Sequence, residues 1–177
     1  TAPERVVTIK SSTTELLLAL GLGDRIVGTA FQDGPVPAEW ADAAASIPSI
    51  SDFVPNEEAV LQLTPDLVFG GWESNFASDG VGERAELESL GVNTYVAPSA
   101  CRSIQPPKLT WDDVFGDISE VASIFRVDAS ALVADQQARV DALLADKSGQ
   151  GRTALWYSSG DDTPYVGAGL GAPELVL

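Results

Sequence analysis

Residues 56–75, NEEAVLQLTPDLVFGGWESN, pass from helix to strand to loop within a short span and leave the chain few folds to choose from. Asn56 is placed to cap a short helix, with Glu57 and Glu58 in the first turn where the helix dipole favours anions. Val60, Leu61 and Leu63 form its apolar side, and Pro65 ends it. Asp66-Leu67-Val68-Phe69 is a compact apolar run with no polar alternation, the pattern of a strand buried on both faces in a parallel sheet. Gly70-Gly71 closes the strand and leads directly into Trp72, Glu73, Ser74 and Asn75. Ligands of open α/β sheets sit at the carboxyl ends of the strands, so this loop is a candidate binding segment.

The same alternation runs along the chain. A strand is expected at 5–9, with Lys10-Ser11 as its loop. Ser12-Thr13-Thr14-Glu15 has capping-box spacing and opens a helix over 13–20 that is apolar over most of its circumference. A second strand over 25–29 completes a βαβ unit. A short helix is expected over 38–45 and an extended piece over 47–50. Beyond the segment at 56–75 follow a helix over 83–90 closed by Gly91, a strand over 93–96, and a long loop over 97–107. Thr110 caps a one-faced core helix carrying Trp111, Val114, Phe115, Ile118, Val121, Ala122 and Phe125. Residues 128–147 read as a long helix, about 30 Å if continuous, with a stripe of Leu132, Val133, Gln136, Val140, Leu143 and Leu144. A new strand is expected over 153–157, with Ser158–Asp162 as its loop and a Gly-rich run over 165–171.

The fold class that results is α/β, a mostly parallel sheet flanked by helices. It predicts one complete lobe (1–126), a long connecting helix (127–148) and the start of a second α/β lobe (149–177). The last residues, Gly171 to Leu177, read as a helix start left open on three apolar residues, so the chain is expected to be part of a longer protein.

Composition removes several classes of function. With no histidine and one cysteine among 177 residues, neither a His-dependent catalytic triad nor a His/Cys metal site can be assembled. No Asp-x-Asp-x-Asp-Gly loop marks a calcium site, and no metal or cofactor is expected. A net charge of −16 argues against nucleic acid and anionic membranes as partners. No apolar run reaches membrane-spanning length. The run Gly21-x-Gly23-x-x-x-x-Gly28 has the wrong spacing for a dinucleotide fingerprint and lies between helix and strand rather than strand and helix.

Against this acidic background, Lys10, Arg102 and Lys108 fall in loops at strand ends. One reading is a local basic rim for an anionic ligand; the other is ordinary surface charge. Trp72 and Phe76 flank Glu73-Ser74-Asn75, a pairing of rings and hydrogen-bonding groups suited to a planar organic ligand; the other reading is that Trp72 packs in the core. Trp156 and Tyr157 end the later strand, with Ser158 after them; alternate strand residues point opposite ways, so one of the two rings is expected to face that rim. Cys101 adjoins Arg102, but without a histidine it lacks the base that a catalytic thiol needs. The candidate ligand-binding set is therefore Lys10, Ser11, Ser12, Trp72, Glu73, Ser74, Asn75, Cys101, Arg102, Trp156, Tyr157 and Ser158, with no catalytic or metal residues.

PERVVTIKSSTTELLLALGLGDRIVG, NEEAVLQLTPDLVFGGWES and LESLGVNTYV resemble the substrate-binding proteins of ABC importers for iron-siderophores and cobalamin. The resemblance spans nearly the whole chain and implies two lobes joined by one long helix, with the ligand in the cleft. It implies no enzymatic activity, an extracytoplasmic location with a lipid anchor as one form of attachment, and a monomer that delivers an anionic small molecule to an ABC permease. It also gives Glu58 a role, pairing with arginines of the permease. SSTTELLLALGLGDRIVG, GWESNF, GVNTYVAPSAC and ALWYSSGDDTPYVGAGLGAPE resemble a narrower subgroup proposed to bind a deazaflavin cofactor precursor, a planar ring bearing a phosphodiester. The alternative is a small α/β transferase-like enzyme using the same strand-end rim.

Overall fold

The computed structural model describes residues 1–101, 104, 108–147, 149–167 and 175. Five strands form one parallel sheet: β1 (Val6–Ile9), β2 (Ile26–Ala30), β3 (Ser49–Ser51), β4 (Leu67–Gly70) and β5 (Asn93–Val96), in the order β3-β2-β1-β4-β5. Six helices accompany them: α1 (Ser11–Ala19), α2 (Ala41–Ala44), α3 (Glu57–Leu61), α4 (Arg84–Ser89), α5 (Trp111–Phe125) and α6 (Ser130–Asp146). The α/β class expected from the alternation is the one observed.

The sheet is buried on both faces, as its unbroken apolar strands require. Successive residues of β1 and β4 divide between two cores. Val6, Leu67 and Phe69 pack with Leu17 and Leu18 of α1 and with Val121 and Phe125 of α5. Val7, Ile9 and Val68 pack on the other face with Val60 of α3 and Leu87 of α4. The middle strands β1 and β4 are therefore clamped between two helical layers, and every loop that leaves a strand's carboxyl end emerges at the same edge.

Local capping signals held where nothing distant competed for the side chain. Asn56 Oδ1 accepts a hydrogen bond from Ala59 N at 2.9 Å at the start of α3. Thr110 and Asp113 form a reciprocal capping box at the start of α5, which holds the Asp113 carboxyl below its ordinary value. The box expected at Ser12–Glu15 does not form. Helix α1 begins two residues earlier than expected, with Lys10 as N-cap and no side-chain cap. Its threonines are drawn to the sheet instead: Thr14 Oγ1 lies 2.8 Å from Thr8 Oγ1 and 2.9 Å from Thr29 Oγ1, in a buried row of hydroxyls.

The C-terminal part also departs from expectation. Leu132, Val133, Gln136 and Val140 are at least partly covered, but Leu143 and Leu144 are exposed, so the stripe outlasts the surface that α6 packs on. The strand expected over 153–157 is displaced. Tyr157–Ser159 (β6) pairs antiparallel with Tyr165–Val166 (β7) in a separate two-stranded sheet. A lone strand needs a partner for its backbone groups, and among the described residues the one it finds is its own return segment. The end of the Gly-rich run, over 168–171, and the helix start expected at the C-terminus fall outside the described residues apart from Leu175.

Candidate ligand-binding edge

The strand order places a topological switch between β1 and β4. From β1 the chain crosses to β2 and β3 on one side; β4 and β5 lie on the other. The loops after β1 and β4 therefore leave adjacent strands at the carboxyl edge, the place where open α/β sheets hold ligands. Lys10 stands at this point. Its backbone has φ 84° and ψ 148°, a combination that residues other than glycine scarcely populate.

Four main-chain and side-chain bonds hold it there. Lys10 N donates to Ala30 O at 3.0 Å, and Thr14 N donates to Lys10 O at 3.4 Å. Thr13 Oγ1 and Thr14 Oγ1 donate to the same carbonyl at 3.0 and 3.3 Å. On the other side, Gly71 N donates to Ile9 O at 2.9 Å. A Cβ at Gly71 would lie 2.8 Å from both Cβ and Cγ of Lys10. Glycine at 71 is thus what lets the β4 loop lie against the lysine stem.

The remaining strand-end residues join in one chain of contacts across the edge. The Lys10 ammonium is ion-paired with Asp33 and lies 4.0 Å from the centroid of the Phe31 ring. Asp33 N donates to Ser11 Oγ at 2.8 Å. Phe31 in turn meets Phe53, beyond β3, at a centroid distance of 6.2 Å. On the far side, Cys101 Sγ donates to Glu73 Oε1 at 3.6 Å and ties the β5 loop to the β4 loop. Asn75 is buried, and its Oδ1 accepts from Trp72 N at 2.9 Å. That bond fixes the turn from which Trp72 projects, 53% exposed.

The edge thus brings together Lys10, Ser11, Trp72, Glu73, Asn75 and Cys101, with Ser12 exposed in the first turn of α1 and Ser74 exposed in the turn after β4. Asn75 and Cys101 are buried and shape the loops. Arg102 lies outside the described residues. Lys108 is exposed. Trp156, Tyr157 and Ser158 belong to the hairpin region, exposed, with Tyr157 Oη donating to Gly160 O at 2.7 Å. Glu58 is exposed in the first turn of α3. Phe31, Asp33 and Phe53 escaped the sequence reading, although Phe31 and Asp33 follow β2 as Lys10 follows β1.

A second polar group lies beside β5. Burial pushes the Asp117 carboxyl up, opposed by the hydroxyl of Ser99, and neighbouring Glu120 and Asp113 add to the rise. The Tyr95 phenol is pushed well above its ordinary value by burial and then by Glu120 and Asp117. Among the described residues no group of His, Cys, Asp and Glu is placed to hold a metal ion, and no helix is long and apolar enough to cross a membrane.

A parallel sheet clamped between two helical layers, with its topological switch beside Lys10, defines an α/β fold. The chain belongs to the periplasmic binding protein family, whose model matches residues 6–172. A periplasmic binding protein from Veillonella parvula is 28% identical with a TM-score of 0.81, over 93% of this chain and 54% of that one. The ABC-type Fe3+-hydroxamate transport system protein from Saccharomonospora viridis is 29% identical with a TM-score of 0.69, over 89% and 56%. The vitamin B12-binding protein of Yersinia pestis (strain Pestoides F) is 43% identical over 68 residues, 38% of this chain and 22% of that protein. The chain therefore spans about half the length of the solved structures it matches.

Proposed function

We propose that the chain is the ligand-binding lobe of an extracytoplasmic solute-binding protein that has no chemistry of its own and hands its ligand to an ABC permease. The ligand is a large organic molecule or metal chelate with a flat apolar face and an anionic group. The deazaflavin precursor, ferric siderophores and cobalamin-like molecules are the candidates. In this reading α6 joins two lobes, and the residues from 149 onward begin the second. The relatives that bind vitamin B12 and transport Fe3+-hydroxamate support the transport class.

The exposed Trp72 carries the argument about the ligand. A large aromatic ring held out at the carboxyl edge by a buried asparagine is suited to stacking on a flat molecule. Phe53, 72% exposed beyond β3, extends the apolar rim. Titrating the full-length protein with cobalamin, a ferric hydroxamate and a deazaflavin precursor should produce saturable quenching of tryptophan fluorescence with one of them. Trp72→Ala should weaken that ligand by about ten- to a hundredfold, the usual range for a buried aromatic anchor. Saturable binding unaffected by Trp72→Ala would remove this ring from the site; absence of binding to all three would remove the proposed ligand class.

Glu58 supports delivery to a permease. Helix α3 turns its far end to the amino edge, where Asp66 accepts from Glu4 N and Arg5 N at 2.7 and 3.0 Å. Its first turn, with Glu58, is thus the end nearer the ligand edge. Glu58→Arg should leave ligand affinity unchanged while abolishing stimulation of the cognate transporter's ATPase. Full stimulation by the variant would assign Glu58 to helix-dipole stabilisation alone.

A further inference from the structure

We propose that Lys10 and Asp33 form an exchangeable counter-ion pair, in which the Asp33 carboxylate occupies the place that an oxyanion of the ligand takes on binding. The inference rests on the solute-binding reading and deepens it by assigning the group that recognises the anion.

The two partners are unequally held. The Lys10 side chain is only 14% exposed, whereas that of Asp33 is 61% exposed. The lysine is fixed at both ends: its backbone by Thr13, Thr14 and Ala30, and its stem against Gly71. The ammonium also lies against the Phe31 ring, which adds a cation–π attraction that does not depend on Asp33. Asp33 is tied to the edge through its own N–H and Ser11 Oγ, so its loop stays in place if its carboxylate rotates into water. The exposed Asp33 carboxylate regains hydration when it leaves the pair, and an incoming oxyanion replaces the charge that the covered lysine loses, so exchange of one for the other costs the fold little.

Five positive-φ residues other than glycine occur among the described residues: Lys10, Phe31, Thr64, Arg126 and Lys147. Arg126 and Lys147 are helix C-caps, and Thr64 closes the turn after α3. Only Lys10 and Phe31 lack that role, and both hold the ammonium. Constrained backbone gathered around one charged group is the pattern expected where geometry serves binding.

The test is an NMR titration of the chain with inorganic phosphate and, separately, acetate, following the ε-methylene signal of Lys10. Lys10→Met identifies that signal among those of Lys108 and Lys147. Lys10 should show a saturable shift with at least one anion, and Asp33→Asn should tighten it on the order of fivefold, the effect of removing one competing charge at contact distance in water. A response to phosphate alone assigns a phosphate-bearing ligand; a response to both assigns oxyanions in general. A Lys10 signal unmoved by either anion in wild type and Asp33→Asn, or equal affinities in the two, overturns the proposal. Asp33→Ser serves as a second neutral variant and must behave as Asp33→Asn does. None of these results bears on quenching of Trp72 by the full ligand, so failure here leaves the solute-binding reading to its own test.

Discussion

Replacing Phe69 by alanine is expected to destabilise the lobe by about 3–5 kcal/mol, the range for removing a fully packed phenylalanine. Phe69 is 2% exposed and lies on β4, next to the central strand of the sheet. Its ring meets Tyr95 edge-on at 5.2 Å and packs in the core that α1 and α5 close. Both flanking strands and both helices bear on it, so little can move in to fill the space. Against a total stability of roughly 5–15 kcal/mol for a domain, the loss is large enough to populate unfolded chain at moderate temperature. Because β4 also carries the Trp72 turn, ligand affinity should fall in parallel with the folded fraction. Urea unfolding checks this: the midpoint should drop with the slope unchanged. A loss below about 1 kcal/mol would mean that the site collapses around the missing ring and that Phe69 is not the packing centre.

The way Phe69 is buried explains what was legible in the sequence. Unbroken apolar runs at Val6–Ile9 and Leu67–Gly70 announce strands covered on both faces, and the helices between them make a parallel sheet the expected solution. Caps at Asn56 and Thr110 were legible because each bonds a backbone group only three residues away. The box at Ser12–Glu15 was misplaced because α1 starts earlier, at Ser11, where Thr14 bonds Thr8 and Thr29 of β1 and β2, strands whose pairing only the folded sheet supplies. The displaced strand at Tyr157 has the same origin: strand propensity marks a segment, but its pairing is decided by which edge is available.

At the carboxyl edge of the sheet, place in the fold was readable and partnership was not. Lys10, Ser11 and Trp72–Asn75 stand after β1 and β4, as the strand positions in the sequence imply. That Lys10 faces Asp33, and that Asn75 is buried as the brace of the Trp72 turn, depends on strand order. Residues separated by a whole βαβ unit come together there.

Lys10 also yields a prediction whose sign is opposite to the usual one. At an ordinary position alanine is more stabilising than glycine by roughly 0.5–1 kcal/mol, because glycine loses more freedom on folding. At position 10 the order should reverse. The backbone conformation there costs a residue with a Cβ about 1–3 kcal/mol; neither alanine nor glycine keeps the ion pair, and of the stem contact with Gly71 alanine keeps only the Cβ. Comparing the two variants cancels those shared losses and leaves the backbone term. Lys10→Gly should therefore unfold at higher urea concentration than Lys10→Ala, by about 1–2 kcal/mol after the entropy of glycine is subtracted. Both should lose affinity for an anionic ligand to a similar extent, since both remove the ammonium. A variant that regains stability without regaining binding would separate the cost of the conformation to the fold from the contribution of the charge to the proposed anion binding. If alanine proves at least as stable as glycine, the backbone at this position is not under strain, and the clamp formed by Thr13 and Thr14 has no work to do.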